Sequence, residues 1–328
     1  MPYALQIPQA GGPEVFEKIE VDRPTPARGQ LLVRIAAAGV NFIETYQRSG
    51  VYSVQYPLVP GSEGAGTVEE VGPGVEGFSV GDRVATAEGT GSYAEYMVLD
   101  AEKALSVPAT VSDEVAAALP LQGMTAHYLI NNSYHVQPGD TVLTYAGAGG
   151  VGQLLIQLLK LRGATVITTT STPAKAELAR AAGADHVLSY DEVPDRVRDI
   201  TGGVGVAAVY DGIGKDTFEG SLDSLRTRGT LVLFGGASGQ VPPFDLQQLN
   251  AHGSLTVTRP KIADFLLDAD ERRWRSAELF DLVAAGTLQV AIGERFALED
   301  AGAAHTALES RATTGKVLLV PGTSGTPA

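Results

Sequence analysis

The chain has 328 residues, 44% of them hydrophobic, which is enough for two domains with ordinary cores. Its net charge of −14 repels phosphate backbones and anionic lipid, and Lys and Arg are scattered without a basic run, so nucleic-acid and membrane-surface binding are disfavoured. Cysteine is absent, which excludes disulfides, a thiol nucleophile and thiolate ligands for zinc.

The first residues show no basic segment followed by an apolar one, and nowhere do about 18 uncharged apolar residues run together, so a cytoplasmic protein is expected. Up to about residue 121 the chain reads as short strands over 3–7, 31–37, 66–71, 82–87 and 93–98, separated by Gly and Pro turns. From about Met124 strands and helices alternate. A strand over 141–145 runs into a glycine turn and a helix through Lys160. A second strand follows over 165–169, then a helix over 173–182 with Thr172 as N-cap and Gly183 as its stop. A third strand over 186–189, a helix over 195–200 and strands over 207–210, 230–234 and 255–257 continue the series. This grammar predicts an α/β fold with a doubly wound parallel sheet, the Rossmann arrangement, over 122–260. Beyond Pro260 come an amphipathic helix over 271–285, a helix over 300–309 and a last strand over 316–320. These residues are too few for a domain of their own, so 261–328 is expected to join 1–121 in one β-rich domain. The tail from Pro321 to Ala328 holds turn formers without apolar periodicity and is expected to be disordered.

The stretch Gly139-Asp-Thr-Val-Leu-Thr-Tyr145-Ala-Gly147-Ala-Gly149-Gly150-Val151-Gly152 carries the chemistry. A pyrophosphate needs free backbone N–H groups at a helix N-terminus and no Cβ in the way, which Gly147, Gly149 and Gly152 provide. A tight turn in a protein without cofactor would use the same glycines. The change of period from two to 3.6 across them favours the dinucleotide. At the end of the second strand, where an acid would bind the ribose 2′-OH of NAD, stand Thr170, Ser171 and Thr172, and the first charged residue beyond them is Lys175. Hydroxyls and a cation suit a 2′-phosphate, so NADPH is the expected cofactor, although the same residues also serve as a helix cap and a solvated lysine. Tyr190, ending the third strand, borders the adenosine side. Asp211-Gly212-Ile-Gly214 and Phe234-Gly-Gly-Ala237-Ser238 end later strands and are expected to line the cofactor.

The run from Gly139 to Lys160 is similar to the signature of the zinc-free quinone oxidoreductase and zeta-crystallin family of the medium-chain dehydrogenase/reductase superfamily. Gly39-Val-Asn41-Phe-Ile-Glu44-Thr-Tyr46-Gln-Arg48-Ser-Gly50, Pro60-Gly-Ser62-Glu63-Gly-Ala-Gly66, Gly81-Asp-Arg-Val84, Gly123-Met-Thr125-Ala and Glu309-Ser-Arg311-Ala-Thr extend the resemblance over nearly the whole chain. It implies a GroES-like catalytic domain built from both termini, an inserted Rossmann domain, NADPH and a homodimer. It also implies cofactor contacts from Asn41, Tyr46, Tyr52, Thr125, Gly150, Val151, Ser171, Lys175, Tyr190, Phe234 and Arg311, with Asn41, Tyr46 and Tyr52 beside the substrate. As departures, Ser171 replaces a glycine of relatives, and Gly212 and Ala237 replace serines.

Zinc-dependent members of the superfamily place Cys and His where Asn41 and Ser62 stand, and neutral Asn and Ser do not replace them as ligands. His127, His135, His186, His252 and His305 lack metal spacing and read as surface or packing residues, and Glu44 with Arg48 as a surface pair. Without a Lewis acid the substrate should be intrinsically electrophilic. A quinone fits; an enone or enoyl thioester is the alternative enzyme substrate, and a crystallin-like structural or RNA-binding role is the alternative outside enzymes. The 255–258 strand is an edge candidate for pairing two copies.

Overall fold

The computed structural model describes residues 1–322, so most of the turn-rich tail lies outside the described residues. The chain divides into two compact units, residues 1–121 with the segment from Asp268 onward, and Gln122–Leu267.

In the first unit β1 (Tyr3–Gln6) pairs antiparallel with β2 (Glu17–Glu20). The long β3 (Gln30–Val40) buries Leu31, Leu32 and Val33 in succession, so both of its faces are covered there, and Arg34 is exposed. Gly39-Val-Asn41 then turns directly into α1 (Phe42–Ser49), a helix that the short polar segment did not announce. Glu44 at its third position accepts from the Asn41 N–H (2.9 Å), and Gly50 ends it in the left-handed region at φ 79°. β4 (Glu63–Val71), β5 (Arg83–Thr86), β6 (Tyr96–Asp100), β7 (Leu105–Ser106) and the short α2 (Asp113–Ala118) follow.

α3 (Pro120–Tyr128) leads into the second unit, which is built from β8 (Thr141–Thr144), α4 (Gly150–Leu161), β9 (Thr165–Thr169), α5 (Pro173–Ala181), β10 (His186–Leu188), α6 (Asp195–Ile200), β11 (Val206–Asp211), α7 (Phe218–Ser224), β12 (Leu225–Leu233), α8 (Gln247–Ala251) and β13 (Thr256–Thr258). The strands are all parallel in the order β10-β9-β8-β11-β12-β13. The order reverses between β8 and β11, the switch point at which such sheets bind ligands. Leu143, Ile167, Val209 and Leu231 fill the core. α7 escaped the sequence pattern because Gly220 and two serines interrupt it. β12 starts earlier than expected, its first half broken by Arg228 at φ 60°.

Residues 261–267, placed with the first unit by sequence, cluster with the second. Phe265 stacks there on Tyr128, centroids 4.3 Å apart and planes 4° from parallel. The chain then returns through α9 (Ala269–Ala284), β14 (Ile292–Ala297), α10 (Ala301–Glu309) and β15 (Lys316–Val320). β15 lies between β14 and β3 in the sheet β14-β15-β3-β4-β5-β7, and Val317 and Leu319 join Leu31, Val33 and Val68 in one core. The last strand therefore completes the sheet that the first segment begins.

Where β3 meets α1 there is no room for a side chain. A Cβ on Gly39 would lie 2.7 Å from Lys316 Cε and 2.9 Å from the Ala117 carbonyl, and closer still to the Glu63 carboxylate. Gly39→Ala should destabilise the protein by about 1–3 kcal/mol, the usual cost of overpacking. Denaturant unfolding measures it, and an unchanged midpoint would refute the crowding.

Candidate functional site

The glycine loop of the second unit is shaped by its neighbours. The Gly147 N–H donates to Thr169 O (2.9 Å), and Ala146 takes φ 56° so that the chain can turn into α4. A Cβ at Gly147 would strike the Thr168 side chain, itself fixed by a bond from Oγ1 to Thr144 O (2.7 Å). At Gly152 it would strike the backbone of Ala146, and at Gly150 the Gln122 amide. Gly149 precedes α4 as an N-cap without a side-chain bond, so the first-turn N–H groups keep their donor capacity. An uncapped, glycine-rich helix N-terminus fits the pyrophosphate of a dinucleotide. Val151, in the first turn, shares this surface.

At the end of β9, Thr172 Oγ1 accepts from the Lys175 N–H (3.3 Å) and caps α5, while Ser171 is exposed and Lys175 half-buried. The cap engages the Lys175 backbone N–H and not its amine. Tyr190 stacks on Tyr145 with centroids 6.0 Å apart. Thr125 is buried on α3.

The loop after β11 hangs on Asp211. Its buried carboxylate accepts from the Ile213 N–H (2.8 Å), the Gly214 N–H (3.0 Å), Thr217 Oγ1 (2.8 Å) and Ser221 Oγ (2.9 Å). Burial raises its pKa and these four donors oppose the rise. The Phe234 ring covers Gly212, where a Cβ would lie 2.9 Å from Cζ. The two loops expected to line the cofactor are thus one packed unit, and Asp211, which pattern reading took only as part of a loop, is its anchor.

In the first unit Asn41, Glu44, Ser62, Glu63 and Lys316 form one polar cluster. Glu44 accepts from the Asn41 N–H (2.9 Å) and from Ser62 through its N–H (3.0 Å) and hydroxyl (2.5 Å). Glu63 accepts from Asn41 Nδ2 (3.0 Å), the Leu121 N–H (2.8 Å) and Lys316 Nζ, which also donates to Asn41 Oδ1 (2.6 Å). Glu44, Glu63 and Lys316 have no exposed surface. Burial raises the Glu44 pKa, against the bonds from Ser62 and the charge of Lys316.

Glu44 and Arg48, expected as a surface pair, are both buried and do not pair with each other. Arg48 turns the other way, donating to Glu309 Oε1 (2.7 Å), the Gly11 carbonyl (3.2 Å) and His305 Nδ1 (3.2 Å). A guanidinium has no acceptor, so His305 carries its proton on Nε2 and donates to Tyr93 Oη (3.1 Å). Burial, and then the neighbouring guanidinium, push the His305 pKa down to about 3. This lattice fixes α1, which holds Asn41 at its start. Tyr46, on the same helix, meets the exposed Tyr52 with ring centroids 5.3 Å apart. Arg311 follows α10, exposed, with φ 56°. Sequence patterns missed Lys316, Glu63, His305 and Asp211 as site residues. The one available signal was an ionisable residue inside an apolar strand or helix.

Residues 27–109 match the alcohol dehydrogenase GroES-like domain family, and residues 150–275 the zinc-binding dehydrogenase family. The chain is 44% identical to a quinone oxidoreductase of Salmonella typhimurium over 97% of this chain and 99% of that one. It is 43% identical to a 2-haloacrylate reductase of a Burkholderia species, covering 98% and 99%. The structure of Escherichia coli quinone oxidoreductase complexed with NADPH is similar with a TM-score of 0.95 and 42% identity, over 97% of this chain and 100% of that one. The residues here do not fit the zinc that the second family description implies. Asn41 and Ser62 offer neutral oxygens already bonded within the cluster, and Lys316 brings a cation against Glu63.

The buried His305 makes stability depend on pH. Unfolded, it gains a proton below about 6.5; folded, it stays neutral down to about 3, so the unfolded state binds more protons between those values. Stability should therefore fall as pH drops through that window. In His305→Gln, which can still accept from Arg48, the fall should be shallower by up to one proton. Parallel pH-dependent unfolding curves for the two proteins would refute this.

Proposed function

The chain belongs to the quinone oxidoreductase family of the medium-chain dehydrogenase/reductases, and we propose that it reduces quinones with NADPH and without metal. The observation that carries the cofactor is the uncapped, glycine-rich N-terminus of α4. Around it, Gly147, Gly149, Gly150, Val151 and Gly152 would hold the pyrophosphate, and Ser171 and Lys175 the 2′-phosphate. Tyr190, Thr125, Gly212, Phe234 and Arg311 are the further cofactor contacts. Asn41, Tyr46 and Tyr52 would serve the acceptor, the tyrosine pair by flanking a planar ring and Asn41 by hydrogen bonding.

NADPH supplies a hydride when bound. What remains for this chain is to orient the acceptor and exclude water. A quinone demands little more, because its reduced form is phenol-like, with a pKa of about 10, and takes its proton from water or a weak donor. An activated alkene is the second reading, favoured by the 43% identity to the 2-haloacrylate reductase. A crystallin-like or RNA-binding role finds no support in an acidic chain that keeps its whole glycine cradle.

The finer assignments are ours too. β13 is an edge strand whose outer N–H and C=O groups are available to a second copy, which supports a homodimer. Light scattering that gives a monomer would remove it. Among the described residues no helix is long and apolar enough to cross a membrane. We place the protein in the cytoplasm, where NADPH is regenerated.

NADPH oxidation by 1,4- and 1,2-quinones should exceed that with NADH, in an assay panel that includes enones and thioesters. Preference for the alkenes would promote the second reading. Chelator should change nothing, and its abolishing turnover would sink the metal-free account. Lys175→Glu should raise the KM for NADPH about tenfold or more, the effect of losing a charge-assisted bond, and leave that for NADH nearly unchanged. Equal effects on both would mean that Lys175 does not meet the 2′-phosphate.

A further inference from the structure

Lys316 has no part in the activity as described so far. It is fully buried on β15, and its Nζ donates to Asn41 Oδ1 (2.6 Å) and to Glu63 Oε2. Asn41 Nδ2 donates to the same Glu63 oxygen (3.0 Å). A side-chain amide has nearly the same shape when turned over, so its partners decide which end is oxygen. Here one partner can only donate and the other can only accept. Turning the amide would set its N–H groups against the ammonium and its carbonyl against the carboxylate, exchanging two charge-assisted bonds for two repulsions. The orientation of Asn41 is therefore locked.

An amide nitrogen carries two hydrogens. Glu63 takes one, and the other has no acceptor among the described residues, although Asn41 is only 5% exposed. A nearly buried donor without a partner calls for one. We propose that Lys316 is a positioning residue which, with Glu63, fixes Asn41 as a hydrogen-bond donor to a carbonyl oxygen, that of the electrophile being reduced. This rests on the reading of Asn41 as a substrate-facing residue. As hydride reaches a quinone or enone, negative charge gathers on that oxygen, so an N–H already aimed at it is bonded more strongly in the transition state than before it. A turned amide would present its own oxygen and repel the charge. The carboxamide oxygen of the cofactor offers the same chemistry, and the test separates the two.

Lys316→Met alone would leave Glu63 buried without its cation, so the informative protein is the double variant Lys316→Met/Glu63→Gln, which keeps both stems and removes both charges. Asn41→Leu, which removes the donor and adds no charge, is its companion. Full-length proteins are compared by thermal melting, by NADPH Kd from fluorescence titration without acceptor, and by kcat/KM for 1,4-benzoquinone at saturating NADPH. Both variants should melt cooperatively, keep the NADPH Kd within about twofold, and lose about 10–100-fold in kcat/KM, as for one hydrogen bond to a charged group. A rise in Kd by that factor with unchanged turnover would assign the donor to the cofactor and overturn the substrate assignment. Native kinetics in a well-folded double variant would overturn the positioning role.

The native protein gives a second readout. Its ¹⁵N-labelled Asn41 amide, assigned by its absence in Asn41→Leu, should show two well-separated protons, one shifted downfield by Glu63. An averaged pair would refute the lock whatever the kinetics. Failure of the native enzyme to reduce any quinone would sink the functional reading instead, and the amide spectrum would still decide the lock.

Discussion

The first unit depends on the neutralisation of one buried charge by another. Glu63 lies at the start of β4, Asn41 at the end of β3 and Lys316 at the start of β15, so a single ion pair ties together three strands from both ends of the chain. Taking an ammonium and a carboxylate out of water costs several kcal/mol per ion, and such a pair is tolerated only when its remaining donors and acceptors are also bonded. Here Glu63 also accepts from Asn41 and the Leu121 N–H, and Lys316 also donates to Asn41. The absence of a Cβ at Gly39 gives the cluster its space. An apolar trio would fill the same volume more cheaply, so the cluster is better understood as fixing geometry than as adding stability.

The second unit reaches the same end differently. Its loop is held by backbone and hydroxyl donors gathered on one carboxylate, with Asp211 fixing a glycine-rich segment that has few side chains to pack. Glycines leave room for a cofactor but give up conformational restraint. The restraint is restored by Asp211, Thr217 and Ser221 below the loop and by Phe234 laid against it. The glycine turn before α4 is likewise braced from outside, by Thr168 and the Thr169 carbonyl.

Most of this architecture was readable from the sequence because its signals are local. A change of period across Gly147 to Gly152, a missing acid after β9 and short runs between Gly and Pro need only a window of a few residues. Buried polar residues are not local in that sense. Lys316 and Asn41 are 275 positions apart, and Arg48 and His305 are 257 apart. Read alone, Lys316 begins a strand and Arg48 ends a polar helix, and a charge at either place is most often solvated. That is why Glu44 and Arg48 passed for a surface pair, and why His305 looked like packing while it was the hinge of a hydrogen-bonded lattice.

The position of β15 between β14 and β3 governs the order in which the protein can form. A chain made from its N-terminus presents β3 and β4 early, yet β15, which pairs with the end of β3, emerges only after the whole second unit. Until then Glu63 lacks the Lys316 ammonium, and β3 lacks its partner at Ala38, Gly39 and Val40, beyond the reach of β6. The second unit is continuous in sequence and waits for nothing. It can assemble first, while the unit that encloses it in sequence closes only once β15 has emerged.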